Sequence, residues 1–380
     1  MSGPLQGLKI IEMVGLGPAP FAAMMLADQG AEVIRIHAKG QRPDIPLMNT
    51  RFDVLARGRR SIALDLKVPG AVDLALELID QADGIIEGFR PGVMERLGLG
   101  PDICLTRNSR LAYGRMTGWG QDGPLAYTAG HDLNYIAMTG ALAAMGPADQ
   151  PPPVPLNLIG DFGGGGMLMA FGMVSAILQA KSTGLGQVID AAMVDGASLL
   201  AGMFWGFRAG GMWSDEREAN LLDGGAYFYT TYLCADGKAF AVAAVEPKFH
   251  TILIEKLGLD PAEFTHVRNP SAWPDLRQRM AAVFRTHPRD YWTRIFAGSD
   301  ACASPVLSWE EAQADELATA RAAFIEVAGV RQPAPAPRFS RTPAAAPEVA
   351  VEPGSHSKEI LSDWGIDNDR IAAAEQSGAI

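Results

Sequence analysis

LKIIEMVGLGPAPFAAMMLADQGAEVIRIH, residues 8–37, is the stretch whose reading decides the fold. LKIIEM (8–13) is short, apolar and bounded by glycine, so it reads as a strand. PFAAMMLADQG (20–30) has its apolar residues at helical spacing behind a proline and closes on glycine. AEVIRIH (31–37) is strand-like again, which makes a βαβ unit. SIALDL (61–66), AVDLALELIDQA (71–82), GIIEGF (84–89) and LAYGRM (111–116) continue the alternation. This rhythm predicts an α/β fold with a doubly wound, mostly parallel sheet.

Later segments change character. MLMAFGMVSAILQAK (167–181) is apolar on every side, which predicts a buried helix closed by STGLG. QVIDAAM (187–193) reads as a strand, followed by helix over about 194–212. Residues 220–249 read as antiparallel β with a turn at ADGK (235–238), so a second domain is expected there. Helical patterns run on to about 325. Residues 331–354 are rich in proline and alanine and read as an extended linker before SKEILSDWGI.

Composition narrows the function classes. A chain of 380 residues has room for about two domains. A net charge of -11 argues against a nucleic-acid partner. Cys104, Cys234 and Cys302 are widely spaced, so no structural metal site is expected and a reducing compartment fits. The N-terminus lacks a signal-peptide pattern, SGAI is no peroxisomal address, and no run reaches the ~18 apolar residues of a membrane span. The expectation is a cytoplasmic protein without a membrane span.

Several residues could carry chemistry. GLGPAP (15–20) is only half a dinucleotide fingerprint: the third glycine is missing, and the second strand ends in His37 rather than an acid. RFDVLARGRRS (51–61) gathers Arg51, Arg57, Arg59 and Arg60, either a phosphate clamp or a solvated basic loop. In AGHDLNYIAMTG (129–140), Asp132 reads as a helix N-cap. His131 is then either an idle loop residue or a base kept neutral by the helix dipole. Asp161 precedes four glycines, and it reads as the N-cap of a helix starting near 163. One glycine would suffice for a cap, so the run also suits backbone N–H groups bared to an anion or a developing oxyanion. Glu246 precedes Pro247, which reads as the first residue of a helix whose dipole the acid would stabilise.

GLGPAPFAAMMLADQGAEVIRI, LDLK, EGFRPGVMERLGLG, RMTGWGQDGP, AGHDLNYIAMTG, DFGGGG and AAMVDGAS, in one register, resemble the family III CoA-transferase superfamily. Within it the chain looks most like the α-methylacyl-CoA racemases, over about residues 3–342. The resemblance implies a Rossmann-like large domain (1–190, completed by about 335–380) and a helical linker (191–225). A small α+β domain (226–325), a Pro/Ala-rich returning linker (326–354) and an interlocked homodimer complete the architecture. It implies interconversion of (2R)- and (2S)-2-methylacyl-CoA thioesters through an enolate, with coenzyme A carried by the substrate and no separate cofactor or metal.

His131 and Asp161 match the two acid/bases of those racemases, and Glu246 an acid that hydrogen-bonds the histidine. Arg51, Arg57 and Arg60 fall where the family holds CoA phosphates, and Arg90 of EGFRPGV belongs to the same binding set. Gly163 and Gly164 would let the thioester approach the backbone. Close relatives carry an arginine after the second strand where this chain has IHAKG, so Lys39 is the candidate substitute. The rival reading is a CoA-transferase with Asp161 as nucleophile. His131 speaks against it, because a transferase needs no second proton carrier.

Overall fold

The computed structural model describes residues 3–41, 45–264 and 269–380, so residues 265–268, within the stretch read as helical patterns, lie outside the description. The chain divides into two compact units: Met1–Thr139 with Pro155–Leu200 and Thr319–Ile380, and Gly140–Val154 with Ala201–Ala318.

The first unit is built on six parallel strands: β1 (Lys9–Met13), β2 (Glu32–Ala38), β3 (Arg60–Leu64), β4 (Gly84–Glu87), β5 (Ala112–Thr117) and β6 (Gln187–Ala192). Their order is β3-β2-β1-β4-β5-β6. The order reverses between β1 and β4, and loops leaving the carboxyl ends of those strands diverge to opposite faces and leave a crevice. β1 pairs with β2 at Ile11↔Ile34 and with β4 at Ile11↔Ile85.

Alternate strand residues face two apolar layers. On one face α1 (Pro18–Asp28) and the later α6 (Leu168–Thr183) pack on Ile10, Val33 and Ile86. On the other, α2 (Ala71–Asp80), α4 (Pro101–Arg107) and the chain's last helices cover Ile11, Ile34 and Ile85, while α3 (Val93–Arg96) adds Met94. Met169 and Met173 lie so close to β5 that a Cβ on Gly114 would meet their sulfurs at 2.7 and 2.8 Å. The flexible thioether fits such a tight gap, which a branched side chain would not.

The returning segment is tied to this sheet. Glu348 accepts the Gly58 N–H, Ala379 accepts the Asp65 N–H, and the Trp364 indole donates to Glu32 at 2.9 Å. Part of the expected linker is not extended coil: Phe324–Val327 and Val330–Pro333 pair as an antiparallel hairpin.

One expectation fails in an informative way. α6 is apolar all round but not buried all round, with Phe171 72% and Leu178 66% exposed. Leu158–Thr183 forms a continuous 26-residue helix, long and apolar enough to cross a membrane, and less than half of its most apolar stretch is buried within the fold. The sequence concealed its length because Asp161 and the glycines interrupt the apolar run.

In the second unit, β7 (Tyr229–Leu233), β8 (Ala239–Ala243) and β9 (Ala303–Pro305) form an antiparallel sheet with Thr231↔Ala241 in register. The β7–β8 turn is the ADGK turn expected from sequence. Around it, α9 (Pro247–Lys256), α10 (Trp273–Phe284) and α11 (Arg289–Phe296) enclose an aromatic core that includes Tyr227, Phe228, Phe240, Phe284 and Trp292.

Candidate active site

The site is assembled in the first unit from segments that follow β1 and β5. His131 is the N-cap of α5 (Asp132–Ala137), and its main-chain N–H donates to Asn134 Oδ1 at 3.1 Å. The capping role expected of Asp132 therefore belongs to His131. Asp132 is instead the first helical residue, only 3% exposed, and its Oδ2 accepts the Asp161 N–H at 2.7 Å. This bond joins the two candidate acid/bases through one buried carboxylate. A Cβ at residue 160 would fall 2.6 Å from that oxygen, so only glycine fits before Asp161.

Asp161 is not an N-cap either. It sits inside a π-helical segment, Leu158–Met167, that runs directly into α6. π-Turns within α-helices recur at functional sites. The half-buried carboxylate accepts from Asn157 Nδ2 at 2.6 Å. A Cβ on Gly17, in the loop after β1, would lie 3.3 Å from Asp161 Oδ2, and Gly17 has φ 68°. Two needs thus converge on that glycine: a positive φ and room for the acid. Burial pushes the Asp161 carboxyl above the usual range; the Asn157 bond pulls it down, Asp132 pushes it further up, and His131 pulls it down.

The glycine run answers to protein packing. A Cβ on Gly164 would meet the Ala197 nitrogen at 2.6 Å, in α7 (Met193–Leu200). On Gly165 it would meet Met193 Cγ and Pro18 Cβ, both at 2.9 Å, and on Gly166 the Phe21 ring at 2.6 Å. Gly164, Gly165 and Gly166 are buried, and only Gly163 is half-exposed, with Leu200 Cδ1 3.1 Å from its would-be Cβ. The expectation that this run bares its backbone at a helix N-terminus is corrected for Gly164. Its side-chain space is filled by α7.

The arginine stretch is corrected more sharply. Arg57 is buried, holds Asp28 through Nε at 3.1 Å and Nη2 at 2.6 Å, and donates through Nη1 to Gln332 and the Pro333 carbonyl. Arg59 is buried against Glu12. Arg60 pairs with Glu32 and, at 2.6 Å, with Asp363. Neither Arg57 nor Arg60 is a free phosphate clamp; both hold the returning chain to the sheet. Arg51 alone of the four is exposed, stacked over Phe52 with its guanidinium 4.7 Å from the ring centre.

A cavity of about 500 Å³ opens at the carboxyl ends of β1, β2 and β3, lined by Met13, Gly15, His37, Lys39, Lys67 and Phe89 among others. The Lys39 ammonium reaches its rim but donates to the main-chain oxygens of Gly378 and Ile380 at 2.8 and 2.6 Å. Arg90, on the loop after β4, is exposed, and its guanidinium makes no hydrogen bond among the described residues. Apolar walls with cations at the mouth suit a nucleotide-bearing ligand. Among the described residues, no group of three or more His, Cys, Asp or Glu side chains gathers to hold a metal.

Glu246 lies in the second unit, exposed, as the N-cap of α9 with Pro247 next, as the sequence suggested. Asp132, Asn157 and Gly17 are the site residues that sequence reasoning missed. Asn157 stands four residues before Asp161, one helical turn, and would have been found had the helix been read as starting before the acid.

Comparison with known proteins places the chain among relatives. The model of CoA-transferase family III matches residues 5–357. The Alpha-methylacyl-CoA racemase of Mus musculus is 42% identical over 370 residues, which cover 97% of this chain and 95% of the mouse protein. The Homo sapiens Alpha-methylacyl-CoA racemase is 42% identical over 371 residues with the same coverage. The crystal structure of a CAIB/BAIF family protein from Brucella suis aligns with a TM-score of 0.80 at 25% identity, over 96% of this chain and 100% of that one.

Proposed function

The chain belongs to CoA-transferase family III, and we propose that within it this protein interconverts the (2R) and (2S) epimers of 2-methylacyl-CoA thioesters. The observation that carries the proposal is the corner where Asp132, the residue after His131, accepts the Asp161 N–H and so ties the start of α5 to the Asp161 turn. Two proton carriers of different type meet there in one unit.

A 1,1-proton transfer needs no change of oxidation state. From one epimer the ionised Asp161 takes the α-proton, and the C–H electrons move onto the thioester oxygen as an enolate. An imidazolium at His131 returns a proton to the opposite face, and the C=C electrons re-form the inverted centre. The reverse direction uses neutral His131 as base and protonated Asp161 as acid. The enolate oxygen needs N–H donors, which the first turn of a helix leaves without intrahelical partners. With the glycine run packed away, the start of α5 serves this better. Glu246 reaches across from the partner protomer of the homodimer as the acid that orients the histidine, a role supported by the resemblance.

Coenzyme A enters with the substrate, its nucleotide in the cavity at β1–β3 and its phosphates near Arg51, Arg90 and Lys39. The protein works as a homodimer in the cytoplasm. The exposed apolar residues Phe171, Val174 and Leu178 of α6 support the dimer, because so large an apolar face is costly in water. Sedimentation equilibrium reads this directly, and a monomer at micromolar concentration defeats it.

Incubating a single 2-methylacyl-CoA epimer with the protein in heavy water, with no acceptor acid, tests the reaction. Solvent deuterium should enter the α-position while the other epimer accumulates. If no deuterium enters and the protein instead moves CoA onto an added free acid, Asp161 is a transferase nucleophile and the racemase reading falls.

A further inference from the structure

Asp132 takes no proton in the scheme above, yet it is the most deeply buried of the corner's three acid/base side chains. One of its oxygens accepts the Asp161 N–H at 2.7 Å. The other, Oδ1, is buried and has no hydrogen-bond partner among the described residues. A buried carboxylate oxygen left unpaired is unfavourable, and a neutral acceptor would hold the same N–H at less desolvation cost. We propose that Asp132 is a positioning residue for the Asp161 base, clamping the main chain of its turn and keeping a second carboxylate beneath the one that meets the substrate α-carbon. This rests on the racemase reading.

The surroundings make the second charge consequential. From its own helix Asp161 faces Asn157, and from α5 it faces Asp132, His131 and the Tyr135 phenol, on which the Arg90 charge also acts. α1 meets the turn through Pro18 and Phe21, and α7 through Met193, Gly196 and Ala197, none of them charged. Burial opposes ionisation of Asp161 most, and Asp132 is the acid that adds to it, while Asn157 and His131 favour ionisation. Ordinary aspartic acid releases its proton about 2.6 pH units below ordinary histidine. A racemase must deliver a proton from either carrier with similar ease, so raising the acid narrows a mismatch that would slow one direction.

Carbon-13 carboxyl titration of the full, substrate-free chain provides the test, with Asp161→Asn identifying the Asp161 signal. In Asp132→Asn, which keeps an oxygen for the Asp161 N–H but removes the charge, the Asp161 midpoint should fall. An unmoved or raised midpoint overturns the proposal. The exchange assay adds a second reading: the acid limb for the epimer that Asp161 deprotonates should move to lower pH in Asp132→Asn. Asp132→Ala, which also frees the N–H, should lose far more exchange than Asp132→Asn. Equal exchange in the two variants, with both limbs where the wild type has them, also overturns it. Absence of exchange in the wild type would sink the racemase reading instead, and the titration would still decide the place of Asp132.

Discussion

The arginine stretch after residue 50 and the Asp161 corner are both clusters of charge beside the same sheet, and they differ in how their charges are completed. In the first, Arg57 has Asp28, Arg59 has Glu12, and Arg60 has Glu32 and Asp363. In the second, the Asp161 carboxylate has one amide donor, and His131 faces solvent. A charge completed by a buried partner has nothing left to offer a ligand, and removing that partner strands the other ion. A carboxylate lifted by burial and only partly completed is poised to exchange a proton. Local density of charge therefore says little until the partners are known.

Breaking the second region should cost the most catalysis and the least stability. His131→Ala and Asp161→Ala should each slow net interconversion by about 10²–10⁴-fold, the usual worth of a positioned acid/base. The losses should also divide by substrate. If the resemblance carries the handedness across, His131→Ala abolishes α-exchange chiefly from 2S and Asp161→Ala chiefly from 2R. Single-epimer NMR in heavy water reads this, and equal loss from both epimers in each variant would point to one base working through mobile water.

The first region should break in the opposite sense. Arg57→Ala leaves Asp28 buried and unpaired, so unfolding free energy should drop by about 3–5 kcal/mol in denaturant titration. Arg51→Ala should leave stability within about 0.5 kcal/mol and weaken CoA binding by about 1.5–3 kcal/mol in calorimetry, the worth of a hydrogen bond to a charged group. Unchanged CoA affinity in Arg51→Ala would remove the whole stretch from the binding site.

The finest test tunes the Asp161 corner without dismantling it. The Asn157 hydrogen bond favours ionised Asp161, so Asn157→Ala should raise the acid's pKa. Because the base must be ionised, exchange from the epimer it serves should then fail at a higher pH than in the wild type, with the other epimer's acid limb unmoved. A common shift of both limbs would mean the substitution disturbs the corner as a whole.

Much of the molecule was legible as sequence. β1, α1 and β2 lie where the opening thirty residues put them, because strand and helix periods are local properties of the chain. The ADGK hairpin and the Glu246–Pro247 helix start were legible for the same reason. His131 and Asp161 stood out as candidates from their neighbours in sequence, and family membership was legible from many short motifs in one register.

What only the tertiary structure decided depends on distance across the chain. Arg57 meets Gln332, 275 residues away. Arg60 meets Asp363, 303 residues away, and no local pattern reports such partners. The glycines after Asp161 looked like space for a ligand, but α1 and α7 occupy it. α6 looked buried because apolar composition does not say which neighbour covers it. Sequence proposes which groups carry charge and which faces avoid water. Burial and partner geometry, properties of the folded chain, decide which of those charges remain free to react.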